Sequence, residues 1–108
     1  MDTVYLAQPE NLETLRTRIL KISNIQYVNV TWSSLGGVPS IFINLSLDSK
    51  DDWMNGIFYN SNYSVFAIHE DCKLEQITRH FKLPKFRKSK LKSIDDIVDK
   101  VQKWVDKI

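Results

Sequence analysis

The chain has 108 residues, 43% of them hydrophobic and 26% charged, and a formal net charge of +2 at pH 7. This profile is typical of one compact soluble domain spanning residues 1–108. The single cysteine excludes a disulfide framework. No window approaches the ~18 apolar residues of a membrane span, and the first residues carry no secretory signal pattern. We therefore expect a soluble protein of the reducing cytoplasm that makes no membrane contact.

The first half of the chain predicts one helix followed by a strand pair. Pro9 and Glu10 precede apolar residues at helical spacing, which favours an amphipathic helix over about residues 9–23. The apolar period then changes to two, which predicts strands over 25–32 and 41–47. The residues at 33–37 between them are typical of a hairpin turn.

The second half predicts further strands and a final helix. Residues 53–59 and 63–69, separated by Asn60, Ser61 and Asn62, are typical of a second hairpin. Residues 72–81 fit either a helix or a strand, and we favour the strand. From Ser93 onward, a near capping box and an apolar stripe predict a C-terminal helix.

This order of elements predicts an α+β fold. It comprises an N-terminal helix, an antiparallel meander of four or five strands and a C-terminal helix. Both helices would pack on one face of the sheet as a two-layer sandwich. The other face would then be open, and its outward positions include Tyr27, Phe42 and one of Phe58, Tyr59 or Phe66.

The sequence offers little for catalysis or metal binding. His69 and His80 flank Asp71 and Cys72, but a turn at 71–72 would place the histidines ~20 Å apart along the strands, too far to share an ion. Cys72 lacks an oriented base and lies between acidic residues, which favours an inert thiol. We therefore expect no enzyme, no metal and no cofactor.

One segment holds the excess of positive charge. Residues 79–92 carry seven basic side chains and no acidic one, whereas residues 1–78 carry five basic and nine acidic ones. We call residues 79–92 the basic segment, and an anionic partner is expected to meet it. Its candidate contact residues are Arg79, Lys82, Lys85, Phe86, Arg87, Lys88, Lys90 and Lys92. The alternative is a solvated connecting loop whose Phe86 and Leu91 merely anchor it to the core.

The open sheet face offers a second candidate surface. Tyr27 and Phe42 could stack on unpaired bases. They could equally pack against each other across strands or form a contact between two copies of the chain.

These patterns predict a non-enzymatic, inhibitor-like binding module. It would dock by the basic segment on a nucleic-acid-handling protein or on its nucleic acid. The alternatives are direct single-stranded nucleic-acid binding and a dimeric structural protein; the chain would be a monomer or a homodimer. The excess of Lys, Ile and Asn over Ala suggests A+T-rich codons, as in a low-GC bacterium, its phage or another mobile element.

Overall fold

The computed structural model describes residues 6–34, 37–47 and 63–108. Within them the chain forms a short 3-10 helix at Pro9–Asn11, two α-helices and one five-stranded antiparallel sheet with the strands in sequence order. The elements are α1 (Leu12–Leu20), β1 (Tyr27–Ser33), β2 (Ser40–Ser46), β3 (Tyr63–His69), β4 (Lys73–Arg79), β5 (Ser89–Lys90) and α2 (Ile94–Val105). The predicted α+β fold is confirmed, and so is the strand at 72–81.

The alternation of apolar residues decides which side of the sheet the helices cover. Val30 pairs with Ile43, and Ile43 with Phe66, so these side chains share one face and all are buried. Leu15 of α1 and Val101 of α2 belong to the same core. Because side chains alternate along each strand, one face is apolar and covered by helices while the other carries more polar residues.

The strand pairing differs from the predicted meander at one point. β3 pairs with β2 on one edge and with β4 on the other, so its two ladders are both occupied. The predicted strand at 53–59 lies outside the described residues. The expectation that 63–69 has this segment as its hairpin partner is therefore wrong, because a turn-like polar stretch says where a strand ends but not which strand is its neighbour.

A bulge bends the second hairpin. The register between β3 and β4 shifts at Val65/Phe66, which leaves Ile77 without an opposite residue and half exposed. Gln76 pairs with Phe66 before the shift and Arg79 pairs with Ser64 beyond it, so both side chains lie on the helix-covered face of the sheet. The bulge thus places Arg79 on the same face as Gln76.

Helix α2 begins as its sequence predicts. The Ser93 side chain accepts a hydrogen bond from the Asp96 backbone N–H at 3.3 Å. The Asp96 carboxylate in turn accepts one from the Lys92 N–H at 2.8 Å, one residue before the usual position of a capping box. The predicted stripe is buried at Ile97, Val101 and Trp104, which expose at most 1% of their surface, whereas its last residue, Ile108, is 59% exposed. No helix in residues 6–34, 37–47 or 63–108 has the length and apolar content to span a bilayer.

Candidate nucleic-acid interface

The basic segment crosses from the end of β4 to the start of α2 and is fastened to the core by apolar side chains. Leu83 and Leu91 are buried, and the half-buried Phe86 packs edge-on against Phe66 with ring centroids 5.3 Å apart. The Leu91 N–H also donates to the Cys72 carbonyl at 2.7 Å. The segment includes the two-residue strand β5, where the sequence pattern predicted a loop. The anchoring of Phe86 and Leu91 suits both interpretations of the segment, since a binding surface also needs a fixed backbone.

Polar side chains hold the same backbone from two sides. The Gln76 amide donates to the Pro84 carbonyl at 3.4 Å, and its oxygen accepts from the Phe86 N–H at 2.9 Å. The Trp104 indole N–H donates to the Pro84 carbonyl at 2.8 Å. The irregular backbone at residues 84–86 is therefore clamped between strand β4 and helix α2.

We predict that Gln76→Leu destabilises the fold by about 1–3 kcal/mol, because it leaves the part-buried Phe86 N–H without its acceptor. Urea unfolding measures the free energy, and hydrogen exchange at the Phe86 amide should accelerate. Gln102→Leu is the matched control, since Gln102 bonds only to Asp106 at the exposed end of α2 among the described residues. Equal stability of the two variants would contradict the clamp.

Arg79 stabilises the backbone at the start of the basic segment. Its guanidinium Nη1 donates to the carbonyls of His80, Phe81 and Leu83 at 3.0–3.3 Å. These three bonds fix the turn that follows β4. Of the predicted contact residues, Arg79 is thus the one most engaged with its own backbone, and its charge reaches a partner mainly through the surface potential.

The remaining cations of the segment point outward. The exposed ones are Lys82, Lys85, Arg87, Lys88, Lys90 and Lys92. None of them forms an ion pair with the described part of the chain. Cations that carry no ion pair in this part of the chain, on a fixed backbone, keep their potential for an external anion.

An exposed aromatic ring stands at the start of this row. Phe81 is 77% exposed, lies against the His80 ring at 4.5 Å between centroids, and has the Lys82 Nζ 5.8 Å from its own centroid. A large ring so exposed contributes little to the fold. Phe81 was not among the predicted contact residues, because residues 72–81 fitted either a helix or a strand and neither pattern indicates that this ring is exposed.

Helix α2 adds further cations beside the segment. A cleft of about 200 Å³ opens between them, and we call it the cationic cleft. It is lined by Phe86, Arg87, Ser89, Lys100, Lys103, Trp104 and Lys107. The three lysines were missed, although their spacing of three and four residues is the signal that one helix face carries them.

The described residues also contain a Ser–His–Glu chain that no sequence pattern indicated. Ser40 Oγ lies 2.8 Å from His69 Nδ1 across the β2–β3 ladder, and His69 Nε2 lies 3.6 Å from the Glu75 carboxylate. These residue types resemble a nucleophile, base and acid. Ser40 is only 6% exposed, however, so a substrate cannot reach its hydroxyl. The arrangement is a cross-strand polar contact that satisfies a buried hydroxyl.

The open face is less accessible than the sequence suggested. Tyr27 and Phe42 are half-buried, and the Phe42 ring lies edge-on to His69 with centroids 6.5 Å apart. Phe66, one of three aromatics considered for this face, is fully buried on the helix side instead. Phe58 and Tyr59 fall outside the described residues. Base stacking on Tyr27 and Phe42 stays a prediction.

The metal and thiol candidates are separated or buried. The His80 N–H donates to the Tyr63 carbonyl at 2.8 Å, at the opposite end of β3 from His69. In the described ranges, no three His, Cys, Asp or Glu side chains gather as metal ligands would. Cys72 is 9% exposed, with a left-handed backbone at φ 55°, so its thiol lies in the core rather than at an accessible turn tip.

Comparison with known proteins adds no assignment: no protein-family model, curated protein or solved structure matches this chain.

Proposed function

We propose that this chain is a non-enzymatic module that binds single-stranded nucleic acid along the basic segment and acts by occupying its partner. One observation carries the proposal. Six exposed cations without ion-pair partners in the described chain lie on a backbone that is tied to the core. We further propose that the protein works in the cytoplasm, where a lone cysteine stays reduced.

Fixed cations favour a polyanion for two reasons. Each phosphate that they neutralise releases condensed counterions from the nucleic acid, which drives binding without reading the bases. The clamp at residues 84–86 also orders the backbone before binding, so less conformational entropy is lost on association.

The exposed Phe81 supports a single strand over a duplex. Unpaired bases can stack on an aromatic ring, and such a contact is worth about 1–3 kcal/mol per base. A duplex keeps its bases stacked within the helix, so it offers phosphates and groove edges but no free base face to Phe81. The earlier hypothesis of docking on a nucleic-acid-handling protein shares the same cations and becomes an outcome of the test.

Fluorescence anisotropy with labelled oligonucleotides over a range of salt concentrations tests the proposal. We expect log affinity to fall with log salt by about 0.7 for each phosphate neutralised on a single strand. Phe81→Ala should weaken single-strand binding about 5- to 150-fold, equivalent to the loss of one stacked base, and leave duplex binding nearly unchanged. Leu20→Ala, which removes an exposed apolar side chain of α1, is the matched control.

Three results would count against the proposal. Oligonucleotide binding that ignores salt would exclude a phosphate-driven contact. Equal losses in Phe81→Ala and Leu20→Ala would exclude stacking. Capture of an acidic protein that persists after nuclease treatment, with no oligonucleotide binding, would move the partner from nucleic acid to protein.

A further inference from the structure

We infer that the cationic cleft receives the terminal phosphate of a nucleic-acid strand. The inference rests on the proposed function and adds a site to it. A strand lying along the basic segment would then be held at one end as well as along its backbone, so the protein would distinguish a phosphorylated end from a hydroxyl end.

The cleft is positively charged, because four cations line it. Arg87 of the basic segment lines the cleft together with Lys100 and Lys103 of α2 and Lys107 just beyond the end of α2. Lys103 is partly compensated, since its Nζ lies 3.1 Å from the Asp99 carboxylate. The other three cations make no ion pair within the described ranges. Cations from two separate elements therefore face one concave space.

The size of the cleft limits which ligands can fit in it. Its volume of about 200 Å³ is below the ~300 Å³ at which pockets for whole drug-sized molecules begin. A phosphate group fits this scale, whereas a complete nucleotide would extend out of the cleft toward the rest of the strand. Phe86 and Trp104 also line the cleft.

The charge of the cleft favours a phosphate monoester over a phosphodiester. A phosphate monoester carries about −1.5 to −2 at pH 7 and offers three strong acceptor oxygens, as in phosphoserine. An internal phosphodiester carries one negative charge per phosphate. Several cations around one small space match the monoester better, and in a nucleic acid a monoester occurs at a strand end.

One feature opposes an anion here, but it does not explain all four cations of the cleft. The C-terminal end of α2 carries about half an elementary negative charge, which Lys103 and Lys107 would offset in any helix. Lys100 lies before the last turn, however, and Arg87 belongs to another element. The Ser89 hydroxyl donates to the Arg87 carbonyl at 2.9 Å, which orders the backbone that presents Arg87.

The test compares one labelled oligonucleotide with a 5′-phosphate, a 3′-phosphate or hydroxyls at both ends. The wild type should bind at least one phosphorylated form about tenfold more tightly, the effect expected of one hydrogen bond to a charged group. The double variant Lys100→Gln/Lys103→Gln should lose that preference. The control Lys82→Gln/Lys85→Gln removes the same charge from the basic segment, so it should weaken all three forms alike and keep the preference.

The outcomes separate the two proposals. Equal affinity of the wild type for all three forms would overturn the cleft inference and leave nucleic-acid binding intact. A preference that survives in the cleft variant would also overturn it. Failure of every oligonucleotide to bind would overturn the proposed function and the inference with it, as would cleft-dependent binding of a phosphoserine peptide alone. Thermal melting of each variant checks that the fold is retained.

Discussion

Replacement of Lys85, Arg87 and Lys88 with Glu is expected to reduce nucleic-acid affinity at least about a hundredfold, because like charges brought together at an interface cost several kcal/mol. The three side chains are exposed and form no ion pair with the described part of the chain, so the fold should survive. Their removal should also lower the salt slope for single strands by about 2, or about 0.7 for each lost phosphate contact. Anisotropy titrations at several salt concentrations measure both quantities.

The matching neutral variant, with Gln at all three positions, separates lost attraction from new repulsion. It should show the reduced slope with a smaller loss of affinity. Full retention of partner binding by the Glu variant at physiological salt would contradict the role of the basic segment. The open sheet face with Tyr27 and Phe42 would then be the remaining candidate surface.

Trp104→Ala is expected to lower the free energy of unfolding by about 3–5 kcal/mol, the usual cost of truncating a large buried ring. Trp104 is 1% exposed and meets Phe66 edge-on with ring centroids 5.2 Å apart. Its indole also donates to the Pro84 carbonyl at 2.8 Å, so the substitution removes packing and one side of the clamp together. Chemical denaturation monitored by circular dichroism gives the magnitude.

Trp104→Phe keeps a ring in the core and removes the indole donor. It should cost clearly less than Trp104→Ala while still loosening the backbone at residues 84–86, which hydrogen exchange at the amides of Lys85 and Phe86 would report. A Trp104→Ala variant as stable as the wild type would show that α2 does not hold the sheet as described.

The elements that the sequence predicts well are those with a strong local period. The apolar stripe of α2 and the alternation in β1 and β2 each repeat over several residues, so a local pattern is enough to identify them. The ambiguous residues 73–79 resolve into a strand because Leu74 pairs with Ile68 in the core, a contact far away in sequence. Tertiary pairing decides such cases, and a local pattern cannot contain it.

The candidate site was predictable only in part. A run of like charges is visible along the chain, so the exposed lysines of the basic segment were identified from sequence. The cationic cleft unites residues from 86–89 with residues from α2, and the contact of Ser40 with His69 joins positions 29 residues apart. Both depend on how elements meet in space, which composition and spacing do not encode.

The short strand β5 gives the basic segment a second consequence. β5 pairs with β4 at Lys73 and Leu74. Where this backbone pairing ends, the Gln76 side chain accepts a hydrogen bond from the Phe86 N–H and continues the contact between the two segments. The segment therefore caps the edge of the sheet and covers it with lysines, a device by which proteins discourage edge-to-edge association of their sheets. The same positive charges that attract a polyanion would keep copies of this chain from joining through that edge.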